Sequence, residues 1–181
     1  MCNANNHLLQ YYLSMEQTLI LLKPDALQRA LAGEIITRFE RVGLKIVAAK
    51  ILKPSKEQYF HHYETIGKMI SRRGQEAFDV TLDFMQEGPI LAMVLEGIEA
   101  VAVVRKMVGT TEPKSAEPGT IRGDFSHISF AYASKNGLSL PNLIHASGDP
   151  AEAKLEIAHW FGKDEIFVYE SVHDKFTQGK K

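Results

Sequence analysis

The residues able to carry chemistry in this chain are cations, hydroxyls and one well-placed histidine. Lys23 ends the apolar run "QTLILLK", Arg105 lies late in a predicted helix, and Arg122 stands between two glycines in "PGTIRGDF". With Thr111 and Asn142 these cations suit a polyphosphate, because guanidinium and ammonium groups hold phosphate oxygens through charge-assisted hydrogen bonds. The glycines around Arg122 imply a loop whose backbone must come close to a neighbour. His145 sits in "NLIHASGDP", just ahead of "AEAKLEIAHWF". Ser147 or Asp149 can cap that helix, which predicts His145 beside N–H groups and a positive dipole end that favour an anion. A neutral imidazole next to bound phosphate can be a nucleophile or an acid/base. Taken one at a time, each cation is more often a solvated surface charge, and a lone histidine near a helix end more often a surface or packing residue.

Several chemistries are excluded. The chain has no G-x-x-x-x-G-K-[ST] loop and none of the Gly-rich, H-R-D or D-F-G signatures of protein kinases. No histidine pair has zinc-ligand spacing with a third partner, and no carboxylate cluster suggests a metal cage. Lys and Arg total 21 against 22 acidic residues, a net charge of -1 that gives no basic field for nucleic acid. Cys2 is the single cysteine, so no internal disulfide forms and a reducing compartment fits. Residues 1–14 carry no basic leader, and no apolar run approaches the ~18 residues of a membrane span. The expectation is a cytoplasmic protein with no membrane partner: one domain over 15–181 behind a loose extension at 1–14.

The elements that must position these residues follow from periodicity. "QTLILLK" (17–23), "LKIVAAKIL" (44–52) and "PILAMVLEG" (89–97) read as strands, the last apolar on both faces. "LAGEIITRFERVG" (31–43) places Ile35, Ile36, Phe39 and Val42 at helical spacing and stops on Gly43. Helical pieces are predicted within 55–87, at 98–109 and at about 150–161, and a last strand at "EIFVYE" (165–170). The order predicts an α+β fold of the ferredoxin-like, split βαβ kind: a four-stranded antiparallel sheet covered by helices.

As a set, the segments resemble the nucleoside diphosphate kinase family. The matching stretches are "TLILLKPDALQRALAGEII" (18–36), "GLKIVAAK" (43–50), "HY" (62–63), "GPILAMVLEG" (88–97), "VRKMVGTTEP" (104–113), "PGTIRGDF" (118–125), "NLIHAS" (142–147) and "LEIAHWF" (155–161). The resemblance implies ping-pong transfer of the γ-phosphate of a nucleoside triphosphate, typically ATP, to a nucleoside diphosphate. His145 then matches the family's phosphohistidine nucleophile, Glu156 the glutamate that orients it, and Ser147 the serine that assists. Lys23 and Tyr63 match residues near the transferred group. Arg105, Thr111 and Arg122 match the diphosphate contacts, and Asn142 the ribose contact. The resemblance further implies Mg²⁺ carried on the nucleotide phosphates rather than ligated by protein, and a homo-oligomer (hexamer, tetramer or dimer).

Two stretches depart from the family pattern. Between Tyr63 and Gly88 the chain is longer, which leaves Ala77 where a base-stacking aromatic belongs, with Phe78 beside it. Phe78 is the candidate platform, a core phenylalanine being the alternative. Between Arg122 and His145 a second insertion includes "SFAYASKNGLSL". The competing expectations are a nucleotide-binding module without turnover, which would not exchange phosphate, and a nucleic-acid binder, which would need a basic stripe.

Overall fold

The computed structural model describes residues 15–177, so the expectation of a loose extension at 1–14 falls outside the described residues. Strands β1 (Met15–Leu22), β2 (Lys45–Leu52), β3 (Ile90–Ile98) and β4 (Ile144–Ala146) form one antiparallel sheet in the order β2-β3-β1-β4. From Leu19 to Leu22 β1 is apolar on both sides because both faces of that stretch are covered. Ile20 and Leu22 point to one core layer, with Ile35, Phe39, Val104 and Ile144. Leu19 and Leu21 point to the other, with Tyr59, Met85, Ile157 and Trp160. Each fully buried leucine or isoleucine contributes roughly 1.5–3 kcal/mol relative to an exposed one. Alternation in β2 is broken by a bulge between Ile46 and Ala48, which buries both Val47 and Ala48.

The helices follow the predicted periodicity closely. After α1 (Pro24–Gln28), α2 (Ala32–Arg41) buries Ile35 and Phe39 and ends before Gly43, while Val42 is exposed. A hairpin then rises from β2. α3 (Lys56–Phe60) runs directly into a π-helical stretch, His61–Ile66. α4 (Met69–Arg73) and α5 (Gln75–Gln86) complete the hairpin, and α6 (Ala100–Val108) follows β3. π-helical turns are rare and concentrate at functional sites. Here the wider turn carries His62 and Tyr63 inward: His62 is 1% exposed and the Tyr63 hydroxyl is buried.

The last strand is not where periodicity put it. Residues 165–170 form no strand. One backbone bond, Phe167 N–H to Val47 O, ties them to β2, and Phe167 and Val168 are exposed, so no buried face locks a register. The fourth strand is instead Ile144–Ala146, with Leu21 opposite His145. The segment before it is also more regular than a loop. α7 (Ile121–Phe125) is capped by Thr120, whose hydroxyl accepts from Gly123 N, and α8 (Phe130–Lys135) is capped by Ser129. α9 (Pro150–Trp160) and α10 (Asp174–Thr177) close the described chain. Among the described residues, no helix is long and apolar enough to cross a membrane.

Candidate active site

His145 lies on β4 and not at a helix mouth. Asp149 is the cap of α9 and accepts from both Ala151 N and Glu152 N at 2.8 Å, while Gly148 N donates to Glu152 Oε2. The first N–H groups of that helix are therefore already satisfied by carboxylates, and the expected anion site at its N-terminus is closed. What positions His145 is a carboxylate two turns into the helix. Glu156, 1% exposed, accepts at Oε1 from His145 Nε2 across 2.8 Å, and at Oε2 from the Ser147 hydroxyl across 2.6 Å. Ser147 Oγ in turn accepts from Leu19 N on β1. With Nε2 donating to a carboxylate, the neutral ring carries its proton there and offers the Nδ1 lone pair. The His145 side chain is 19% exposed. The site is thus a partly exposed imidazole backed by a fully buried carboxyl group.

The phosphate-type cations converge beside it. A cleft of about 250 Å³ is lined by Lys23, Tyr63, Arg105, Thr111, Arg122, Asn142 and His145, so the structure gathers those expected residues in one place. Lys23 Nζ donates to Asn142 Oδ1 at 2.7 Å, and Asn142 Nδ2 donates to Thr111 O at 2.9 Å. Burial is the main cause that pulls the Lys23 ammonium down to about 8; Asp25 opposes it, while Arg122 and Arg73 reinforce it. Burial likewise pushes the Asp25 carboxyl up. Arg122 spends Nε on Asn142 O, Nη1 on Gly109 O and Thr110 O, and Nη2 on Ile144 O. Desolvation, with Arg105 and Arg73 nearby, lowers it to about 10, so it stays charged at neutral pH. Its main work in the free protein is to tie α6, the loop after it and β4 together. Arg105 is more exposed, with one long bond to Ala146 O. The backbone at the joint is strained: Leu143 has φ of 71°, its N–H donates to Asp25 Oδ2, and its carbonyl accepts from Lys23 N.

Phe78 does not join them. Its ring is 3% exposed and meets Phe60 edge-on at 5.6 Å, so it packs in the core, and neither this cleft nor the pocket beside it includes it. One residue back, and so a hundred degrees round α5, Ala77 faces that adjoining pocket of about 470 Å³. Two segments wall it together: Met69, Arg73 and Val80 from the stretch between Tyr63 and Gly88, and Phe130, Leu138 and Leu140 from the stretch between Arg122 and His145. Arg73 lies over the Phe130 ring at 4.9 Å and also lines the phosphate-type cleft, as does Arg72. The sequence reading did not single out these two arginines. The signal available was a basic pair in "SRRG", between Tyr63 and Gly88.

The donors around the cleft decide how a metal would fit. Among the described residues, His62, His145 and Glu156 are the trio close enough to share an ion. Two imidazoles are poor partners for Mg²⁺, which takes oxygens. Glu156 is committed at both oxygens, and Glu152 accepts from Gly148 N. A cationic cleft with its carboxylates engaged suits a metal that arrives on phosphate oxygens.

Comparison with known proteins settles the family. The family model described as nucleoside diphosphate kinase matches residues 16–166. The chain belongs to the nucleoside diphosphate kinase family. A nucleoside diphosphate kinase from Borreliella burgdorferi is 44% identical over 155 residues, covering 86% of this chain and 92% of that one. One from Pyrococcus furiosus is 42% identical over 167 residues, covering 92% and 96%. Among solved structures, the Borrelia burgdorferi enzyme with bound vanadate and ADP, a transition-state mimic, superposes with a TM-score of 0.85 at 42% identity, covering 88% of this chain and 95% of that one. An NDP kinase from Pyrobaculum aerophilum gives 0.77 at 39%, covering 85% and 100%. The protein is accordingly an enzyme, a nucleotide-binding transferase of the kinase class, on a ferredoxin-like α+β fold.

Proposed function

We propose that the chain moves the γ-phosphoryl group of a nucleoside triphosphate to a nucleoside diphosphate in two in-line steps through a phosphohistidine at His145. The observation that carries this reading is the Glu156 to His145 Nε2 bond, which leaves Nδ1 as the open nucleophile at the cleft. In the first step Nδ1 attacks the γ-phosphorus and the bond to the β,γ-bridging oxygen breaks, releasing the diphosphate. The ring keeps its Nε2 proton and becomes cationic, and the buried Glu156 carboxylate stabilises that charge. In the second step a terminal β-phosphate oxygen of another diphosphate attacks the phosphorus, and the N–P bond returns its electron pair to Nδ1. No proton has to leave the ring.

Lys23, Tyr63, Arg105, Thr111 and Arg122 are assigned to the phosphates and Asn142 to the ribose; positioning and charge supply most of the acceleration in such loose transfers. Ser147 holds the second oxygen of Glu156 and so fixes its orientation. Mg²⁺ would enter with the nucleotide rather than on a protein ligand and would supply positive charge to the transferring phosphates beside Lys23, Arg105 and Arg122. With Phe78 buried, the pocket walled by Ala77, Phe130 and Leu140 is the place for the base. Its lining is mostly apolar, which supports broad nucleotide use. The enzyme is assigned to the cytoplasm and to a homo-oligomer.

The test is direct. Incubation with γ-labelled triphosphate leaves an acid-labile, base-stable label on the protein, and His145→Ala abolishes both the label and exchange between ATP and a second diphosphate. A label that survives His145→Ala sinks the assignment.

A further inference from the structure

The mechanism leaves one buried imidazole unused. His62, 1% exposed, packs against His145 with ring centroids 4.5 Å apart and planes at 82°. Its Nδ1 lies 3.6 Å from Glu156 Oε1, the same oxygen that accepts from His145 at 2.8 Å. Two imidazoles therefore compete for one carboxylate oxygen. Trp160 decides between them, because its indole N–H donates to His62 Nδ1 across 3.1 Å in a buried setting. An indole N–H is a donor only, so His62 Nδ1 must be the lone-pair nitrogen and the ring proton must sit on Nε2. His62 Nε2 is buried without a hydrogen-bond partner. A ring protonated at Nδ1 could donate to Glu156 but would leave the buried Trp160 indole N–H without its acceptor, so the indole favours the tautomer with its proton on Nε2.

We propose that Trp160 and His62 are a tautomer lock, positioning residues that act through Glu156 by keeping His62 from donating to the carboxylate, whose charge and hydrogen bond then stay with His145. The role rests on phosphoryl transfer at His145 as set out above. The groups facing His62 are Lys23 after β1, His145 on β4, Glu156 and His159 on α9, and His61 and Tyr63 beside it on the π-helical stretch. Burial first, then His145, His159, Lys23 and His61, hold its pKa well below the ordinary histidine value, so it is neutral at working pH. Without the indole N–H, Nδ1 gains Glu156 as partner, and an acceptor carboxylate favours the protonated ring. The His62 pKa then rises, and as pH falls through it the imidazolium draws Glu156 away from His145.

Two measurements decide the matter. In wild-type protein labelled with 15N-histidine, His62 gives a pyridine-like Nδ1 and a pyrrole-like Nε2 from roughly pH 6 to 9. A protonated Nδ1 in that range overturns the lock, whatever the catalytic activity. In Trp160→Phe, the acid limb of kcat moves up by about one pH unit while nucleotide KM stays unchanged. Adding His62→Phe to that variant, which removes the competing nitrogens, returns the limb to its wild-type position. A limb that does not move in Trp160→Phe, or that stays displaced in the double variant, overturns the lock. Absence of phosphate exchange in the wild type would overturn the catalytic reading instead, and the nitrogen spectrum would still decide the lock.

Discussion

Glu156 concentrates the residue-scale chemistry, because one buried carboxylate fixes a tautomer, an orientation and a counter-charge together. Glu156→Gln keeps the size and one acceptor but removes the carboxylate that faces the His145 ring, the group proposed to carry the phosphoryl. The expected result is a loss in kcat of about 10–100-fold with KM little changed, as for other groups that orient a reactive histidine. Steady-state kinetics of exchange check it; an unchanged kcat would remove Glu156 from the mechanism. Lys23 gives a pH signature. Its ionisation is depressed to about 8 by burial, so in the free enzyme its charge is fully present below that value and is lost as pH rises through it. The profile of kcat/KM, which reports the free enzyme, should therefore fall on the alkaline side with a midpoint near 8. A profile flat to pH 10 would show that Lys23 is not needed in its charged form. All of these residues were legible in the sequence by type and order. Which nitrogen of His145 is free was not, since that depends on a helix residue coming within 2.8 Å of a strand residue.

At the scale of elements, α7 shows how tightly the backbone holds the cations. A Cβ on Gly123 would lie 2.1 Å from the Glu117 carbonyl oxygen, a clash with backbone that no side-chain motion relieves. Gly123→Ala should cost more than about 2 kcal/mol in denaturant unfolding, with exchange activity falling further because Arg122 is the preceding residue. The "PGTIRGDF" segment thus did announce a close approach, although to the chain itself. The segments 69–86 and 130–140 meet through Arg73 over Phe130, a contact worth roughly 0.5–1 kcal/mol at an exposed site. Arg73→Ala should raise nucleotide KM several-fold and leave kcat nearly intact, which initial-rate measurements resolve; an equal fall in kcat would place Arg73 in the transfer step. Neither the Arg73–Phe130 contact nor strand β4 could be read from periodicity. Three residues are too few to show alternation, and a pocket between two irregular segments has no linear signature.

For the whole molecule, the exposed apolar residues of the C-terminal segment, Phe167, Val168, Val172 and Phe176, lie beyond the β2 edge of the sheet, where Ile51 is also exposed. Apolar surface of that kind supports assembly. Light scattering should give a mass that is a multiple of 20.3 kDa, and a monomer at working concentration would overturn it. The sequence by itself determined the alternation of buried strands and amphipathic helices, and the identity and order of His145, Glu156 and the phosphate-type cations. Those depend on local periodicity and residue chemistry, which a linear chain displays. Only the tertiary structure decided that His145 sits on a strand, that Phe78 turns into the core, and that Trp160 commits His62 Nδ1. Each of those outcomes is a choice among contacts between distant segments, and the energy that selects one appears only when the sheet and its helices are packed together.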